Sequence, residues 1–137
     1  MRIDLVPKLP SSLSICIRFP VNLTSLRVFC NEEATRTFIG ITPPDESFAS
    51  ESLGRIVNRL DASLGEFKLP LFYENPSFHV SVLWCLGDRK SDVEEVLPDL
   101  MGILGALVNE EEDDFRVDVA RIQCKAGNKL FSFPLVG

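Results

Sequence analysis

Three short β-prone runs crowd into residues 14–41, and the links between them are too short to hold a helix. Ser14-Ile15-Cys16-Ile17-Arg18-Phe19 is ended by Pro20, and Ser25-Leu26-Arg27-Val28-Phe29-Cys30 follows the turn Asn22-Leu23-Thr24. Thr35-Arg36-Thr37-Phe38-Ile39-Gly40-Ile41 follows the polar turn Asn31-Glu32-Glu33-Ala34. Parallel strands need a crossover of roughly a dozen residues, so strand, short turn, strand predicts an antiparallel meander. Pro43-Pro44-Asp45 breaks that sheet. Beyond it the period changes: in residues 46–64, Phe48 leads, and Leu53, Ile56, Val57, Leu60 and Leu64 form a helical stripe. Gly65 stands where a C-terminal cap belongs.

The rest of the chain repeats the alternation. Asn75-Pro76 predicts a turn, because a residue before proline is pushed out of the helical region. Phe78-His79-Val80-Ser81-Val82-Leu83-Trp84 then reads as a strand. Ser91-Asp92-Val93-Glu94 resembles a capping box opening a helix to about residue 109, with Pro98 as a kink or restart. Residues 115–122 alternate as a strand, residues 124–129 turn, and residues 130–135 form a last strand with proline near its end. The order βββ-α-β-α-ββ implies an α+β domain, a largely antiparallel sheet with helices packed on it. Residues 1–13, with Pro7 and Pro10, form an irregular start, and residues 14–137 the domain.

Composition narrows the partners. A chain of 137 residues with 45% hydrophobic side chains suits one compact domain or a fragment of a two-lobed one. The formal charge of −6 speaks against a bulk-basic nucleic-acid binder, although a small cleft can be locally basic. Cys16, Cys30, Cys85 and Cys124 are too scattered for a zinc site and read as reduced thiols buried in apolar runs of an intracellular protein. The acidic run at residues 110–114 reads as a solvated loop rather than a metal site. No apolar run reaches the ~18 residues of a membrane span, and the first ten residues lack the apolar core of a signal peptide.

Chemistry concentrates at residues 73–85, which hold the only histidine, tryptophan and tyrosine. Strand alternation puts His79, Ser81 and Leu83 on one face and Phe78, Val80, Val82 and Trp84 on the other. An imidazole and a hydroxyl two residues apart can grip one small polar group: the first moves a proton, the second donates a hydrogen bond. A lone His-x-Ser is common, so the tripeptide alone does not establish catalysis. Trp84, facing away from His79, is expected in the core. Lys125 and Lys129 are either solvated or contacts for RNA phosphates.

Three blocks carry a resemblance: residues 31–40 around Asn31-Glu32-Glu33; residues 72–88 around Asn75-Pro76-Ser77-Phe78-His79-Val80-Ser81; and residues 123–135 around Gly127-Asn128-Lys129. In this order they resemble the U6 snRNA phosphodiesterase family of the 2H phosphoesterase superfamily, from about residue 14 to the end. Other superfamily members, such as cyclic phosphodiesterases, would share His-x-Ser but not these surroundings. The resemblance implies a 2H phosphoesterase-like fold with one lobe incomplete. It implies a nuclear, monomeric 3′-to-5′ exoribonuclease that trims the oligouridine tail of U6 snRNA, leaving a 2′,3′-cyclic phosphate or a 3′-phosphate. It implies neither metal nor cofactor, and RNA rather than membrane as partner.

By the same resemblance His79 is the general acid and Ser81 holds the phosphate, while Tyr73 stacks on a base and Glu32 contacts the nucleotide. Ser77, Phe78 and Val80 border the pocket, Val80 facing the other way. Without the resemblance Tyr73 would be a surface-packing aromatic and Glu32 a plain turn residue. The superfamily carries two His-x-Ser/Thr motifs and this chain has one histidine, so the spacing of the blocks would place the first motif before Met1. The expectation is a C-terminal part of the enzyme with impaired activity, or a silent RNA-binding or interaction fragment.

Overall fold

The structure is a computed structural model and describes residues 16–72 and 76–137. The elements run β1 (Phe19–Asn22), β2 (Ser25–Cys30), β3 (Arg36–Thr42), α1 (Phe48–Glu66), β4 (Val80–Leu86), α2 (Lys90–Glu110), a 3-10 turn (Glu112–Phe115), β5 (Arg116–Val119), β6 (Arg121–Ala126) and β7 (Lys129–Pro134). The chain is α+β. It divides into two compact units, one of residues 1–20, 48–77 and 118–137, the other of residues 21–47 and 78–117.

The second unit is built on the antiparallel sheet β2-β3-β4, with β3 in the middle. The β2–β3 link is tight because Asn31 organises it. Its Oδ1 accepts the Thr35 and Arg36 N–H groups at 2.9 and 2.8 Å, and Ala34 takes φ 53°. α2 lies against β2, where the Leu26 N–H points to Met101 Sδ at 3.2 Å. Val21, Val28 and Leu104 are the buried hydrophobic residues of this unit. Thr37, 1% exposed, ties the sheet to the start of α2: its hydroxyl donates to Gly87 O at 2.9 Å and accepts the Arg89 N–H at 2.8 Å.

The first unit holds α1, the β6–β7 hairpin and a parallel bridge between Ile17 and Val136. Phe19 meets Phe48 edge-on with centroids 6.5 Å apart, and Phe133 and Leu135 are buried. The buried stripe of α1 is Ala49, Ser52, Ile56, Val57 and Ser63, a rotation from the expected one: Phe48 is exposed and Leu53, Leu60 and Leu64 are half-buried. Serine can sit inside because its hydroxyl bonds back to the helix, as Ser63 Oγ does to Arg59 O at 3.2 Å.

Several boundaries differ from expectation for identifiable reasons. Pro20 lies within β1 rather than ending a strand at Phe19. Gly65 remains helical, and Lys68, at φ 54°, turns the chain out of α1. The capping box is not formed: Arg89 is the N-cap, without a side-chain bond, and Ser91 already lies inside α2. Pro98 sits within α2 without ending it. The strand expected over 115–122 breaks at Ala120, giving β5 and β6, and the last turn shortens to Gly127-Asn128. Residues 112–114 of the acidic run are exposed. Cys16 is buried and Cys30 and Cys124 are half-buried, but Cys85 is exposed, against the expectation of four buried thiols. Among the described residues no helix is long and apolar enough to cross a membrane.

Candidate active site

β4 is an edge of its sheet, and every residue in it is exposed. Its register with β3 is broken once. Trp84 faces Phe38 and Leu83 faces Ile39, but Ser81, not Val82, faces Gly40. Val82 is therefore an inserted residue, a β-bulge, and alternation on β4 changes phase there. Phe38 and Gly40 share a face of β3, so their partners Trp84 and Ser81 share it too. His79, one residue before β4, joins them: it stacks on Phe29 of β2, which is paired with Phe38.

The bulge corrects two expectations. Trp84 is not a core residue on the opposite face: it is 59% exposed and lies on the face of His79 and Ser81. Leu83, expected beside His79, lies with Val80 on the other face. Plain alternation assumes an unbroken pleat, and the extra residue cancels that assumption between Ser81 and Leu83.

His79 and Ser81 are both exposed, on one face and about 6.6 Å apart along the strand at the usual rise. A substrate oxygen can approach the imidazole and a second oxygen the hydroxyl. β2, β3 and β4 contain no carboxylate, while Arg27 and Arg36 lie on the same side as Ser81. Arg27 is paired with Asp45 at 2.5 Å, and the Arg36 guanidinium lies 5.0 Å from the Trp84 ring centroid. A cation beside an exposed aromatic suits a nucleotide, phosphate on the one and base on the other.

The other expected site residues are placed variously. Phe78 is half-buried immediately before His79, and Val80 is exposed on the opposite face, as expected. Ser77 is half-buried and belongs to the first unit. Tyr73 lies outside the described residues, as does Asn75. Glu32 is exposed in the β2–β3 turn, beyond the Arg36–Leu86 end of the sheet. Four strand residues, about 13 Å, separate that end from the Gly40–Ser81 pair, so the second unit does not bring Glu32 to His79. Lys125 and Lys129 are exposed in the hairpin of the first unit. Among the described residues no three His, Cys, Asp or Glu side chains group as metal ligands.

Comparison with known proteins bears on which fold carries this face. A family described as HVSL, an uncharacterised conserved protein, matches residues 2–134. The chain belongs to the HVSL family. The chain is 38% identical to U6 snRNA phosphodiesterase 1 of Xenopus laevis over 133 residues, covering 96% of this chain and 51% of that protein. It is 36% identical to the Homo sapiens protein of the same name, covering 86% and 43%, and 36% to that of Drosophila melanogaster, covering 93% and 46%. This HVSL chain thus spans about half the length of the curated relatives it matches. Among solved structures it resembles Kluyveromyces marxianus Usb1 with a TM-score of 0.56 and 17% identity, over 96% of this chain and 67% of that one. The same protein with uridine monophosphate gives 0.50 and 20%, over 88% and 59%. The expected α+β fold is the one observed, and it resembles that of Kluyveromyces marxianus Usb1.

Arg27, Arg36, Phe29 and Gly40 are residues of this face that the sequence had not singled out, whereas Trp84 had been assigned to the core. Gly40 carried a signal: an isolated glycine inside a β-run marks a bulge or a close approach. The other three carried none beyond their strand positions.

Proposed function

We propose that this chain carries the proton-donating half of a metal- and cofactor-independent RNA phosphodiesterase. It acts as a monomer in the nucleus on the uridine-rich 3′ end of U6 snRNA, removing nucleotides 3′ to 5′ and leaving a 2′,3′-cyclic phosphate or a 3′-phosphate. The observation that carries this is the exposed pair His79 and Ser81 on one face with Arg27, Arg36 and Trp84. Relatives named U6 snRNA phosphodiesterase at 36–38% identity, and a fold neighbour solved with uridine monophosphate, support it.

In that reaction the 2′-oxygen bonds to the adjacent phosphorus and the bond from phosphorus to the 5′-oxygen breaks. The 2′-OH gives up a proton, and the His79 imidazolium returns one to the departing oxygen. The Ser81 hydroxyl donates to a non-bridging oxygen as charge develops there. The chain has one histidine, so the 2′-OH proton passes to solvent rather than to a second imidazole. A missing acid/base group costs about 10²–10⁴ in rate, so turnover by this chain alone is slow.

The single imidazole favours a second reading, an RNA-binding fragment without turnover. One experiment separates them: the chain in excess over uridine-ended RNA, with shortening and binding followed together. Slow shortening that His79→Ala and Ser81→Ala abolish, with binding retained, supports the enzyme. Binding without any shortening replaces it with the second reading. Shortening unchanged in His79→Ala sinks the assignment of the acid.

A further inference from the structure

Side chains on β4 and β2 are separated by β3, two strand spacings or about 9.6 Å away. Yet the rings of His79 and Phe29 stack with centroids 4.1 Å apart and planes 22° from parallel. The contact exists because the intervening residue is Gly40. A Cβ built there would lie 2.9 Å from Phe29 Cε2 and 3.0 Å from both Cβ and Cδ2 of His79. The two rings therefore meet in the space over the central strand that any other residue would fill.

We propose that Gly40 and Phe29 are positioning residues for His79, a role resting on the phosphodiesterase reading above. Gly40 opens the space and Phe29 supplies a flat wall against which the imidazole lies. Stacking leaves the ring few choices of plane, since χ2 of histidine is otherwise a broad torsion. The ring's nitrogens stay at the rim of the stack, on the face that Ser81 shares, and keep that orientation while a proton leaves. Simple packing would need an apolar contact but not a flat one. Phe29 is half-buried beside Phe38, where an aliphatic side chain would serve packing as well.

The chain's single histidine makes the test direct, because its imidazole C–H proton signals need no residue-by-residue assignment. In the wild type the imidazole is stacked on the Phe29 face, and its C–H signals are expected to be displaced upfield. Phe29→Leu removes that displacement and Phe29→Tyr keeps it. On saturating uridine-ended RNA, Phe29→Leu lowers the single-turnover rate on the order of 10²-fold, the cost of misplacing a reacting group by about 1 Å. Phe29→Tyr restores the rate, and the half-saturating RNA concentration stays unchanged in both. No upfield displacement in the wild type overturns the proposal. So does a Phe29→Leu rate equal to wild type, or a loss that appears only as weaker RNA binding. A wild type without turnover overturns the phosphodiesterase reading and the kinetic role together. Turnover lost in His79→Ala but kept in Phe29→Leu overturns the positioning role alone.

Discussion

Gly40→Ala puts one methyl group where two rings already meet. The added carbon would stand 2.9 Å from Phe29 Cε2 and 3.0 Å from two carbons of His79, inside ordinary contact distance by a few tenths of an ångström. One of those carbons is the His79 Cβ, which cannot swing away by rotating a side chain, so backbone or ring must move. Overpacking of this kind costs about 1–3 kcal/mol. Against it stands the entropy lost by the unfolded chain when glycine becomes alanine, worth about 0.4–1 kcal/mol in favour of the variant. The steric cost wins, and Gly40→Ala is expected to be destabilised by about 1–2 kcal/mol net. Urea unfolding, followed by the fluorescence of the single tryptophan, measures this as a lower midpoint at unchanged slope. The imidazole proton signals of the folded variant move away from their stacked positions. A variant as stable as the wild type, or more so, with unchanged imidazole signals would show that the rings do not meet over β3.

Thr37→Val removes a buried hydroxyl that serves both Gly87 O and the Arg89 N–H; stranding these groups costs about 1–3 kcal/mol, read as a lower urea midpoint. Trp84 stands exposed on the His79 face beside Arg36, so its emission changes on adding uridine-ended RNA, and Arg36→Ala reduces the salt dependence of binding by about one ion. Emission indifferent to RNA that demonstrably binds would remove this face from the interface. Asp45→Ala breaks an exposed ion pair with Arg27 and changes unfolding free energy by no more than about 1 kcal/mol. Among the thiols, Cys85 reacts first with a disulfide reagent and Cys16 last, which mass spectrometry of the partly modified protein resolves.

Much of the fold could be read from local patterns. β2 begins and ends where alternation placed it, at Ser25 and Cys30, and β3, α1 and α2 shift by one or two residues. Those elements are set by hydrophobic period and by short turns, both of which are local. The capping box failed because a motif states what a side chain can reach, not where a helix begins. Here Arg89, held through its N–H by Thr37, starts α2 two residues before Ser91.

The shared face of His79 and Ser81 was legible in the sequence, and the arrangement around them was not. His79 and Ser81 are exposed and on one side, as two residues apart on a strand should be. Their surroundings were misjudged because a single inserted residue, Val82, turned Trp84 to the same face and Leu83 away from it. Nothing in Val82-Leu83-Trp84 announces a bulge; its position is fixed by the pairing of β3, which lies about forty residues earlier in the chain. The stack on Phe29 is likewise a consequence of three strands meeting, and only Gly40 hinted at it.

That His79 delivers a proton to the departing 5′-oxygen is tested most directly by changing how much the leaving group needs one. Wild type and His79→Ala are compared on uridine-ended RNA, which expels an alkoxide, and on uridine 3′-(4-nitrophenyl phosphate), which expels a stable phenolate. The account predicts a loss of about 10²–10⁴ in His79→Ala on the RNA and little change on the nitrophenyl ester. Equal losses on both substrates, or no loss on the RNA, would contradict it.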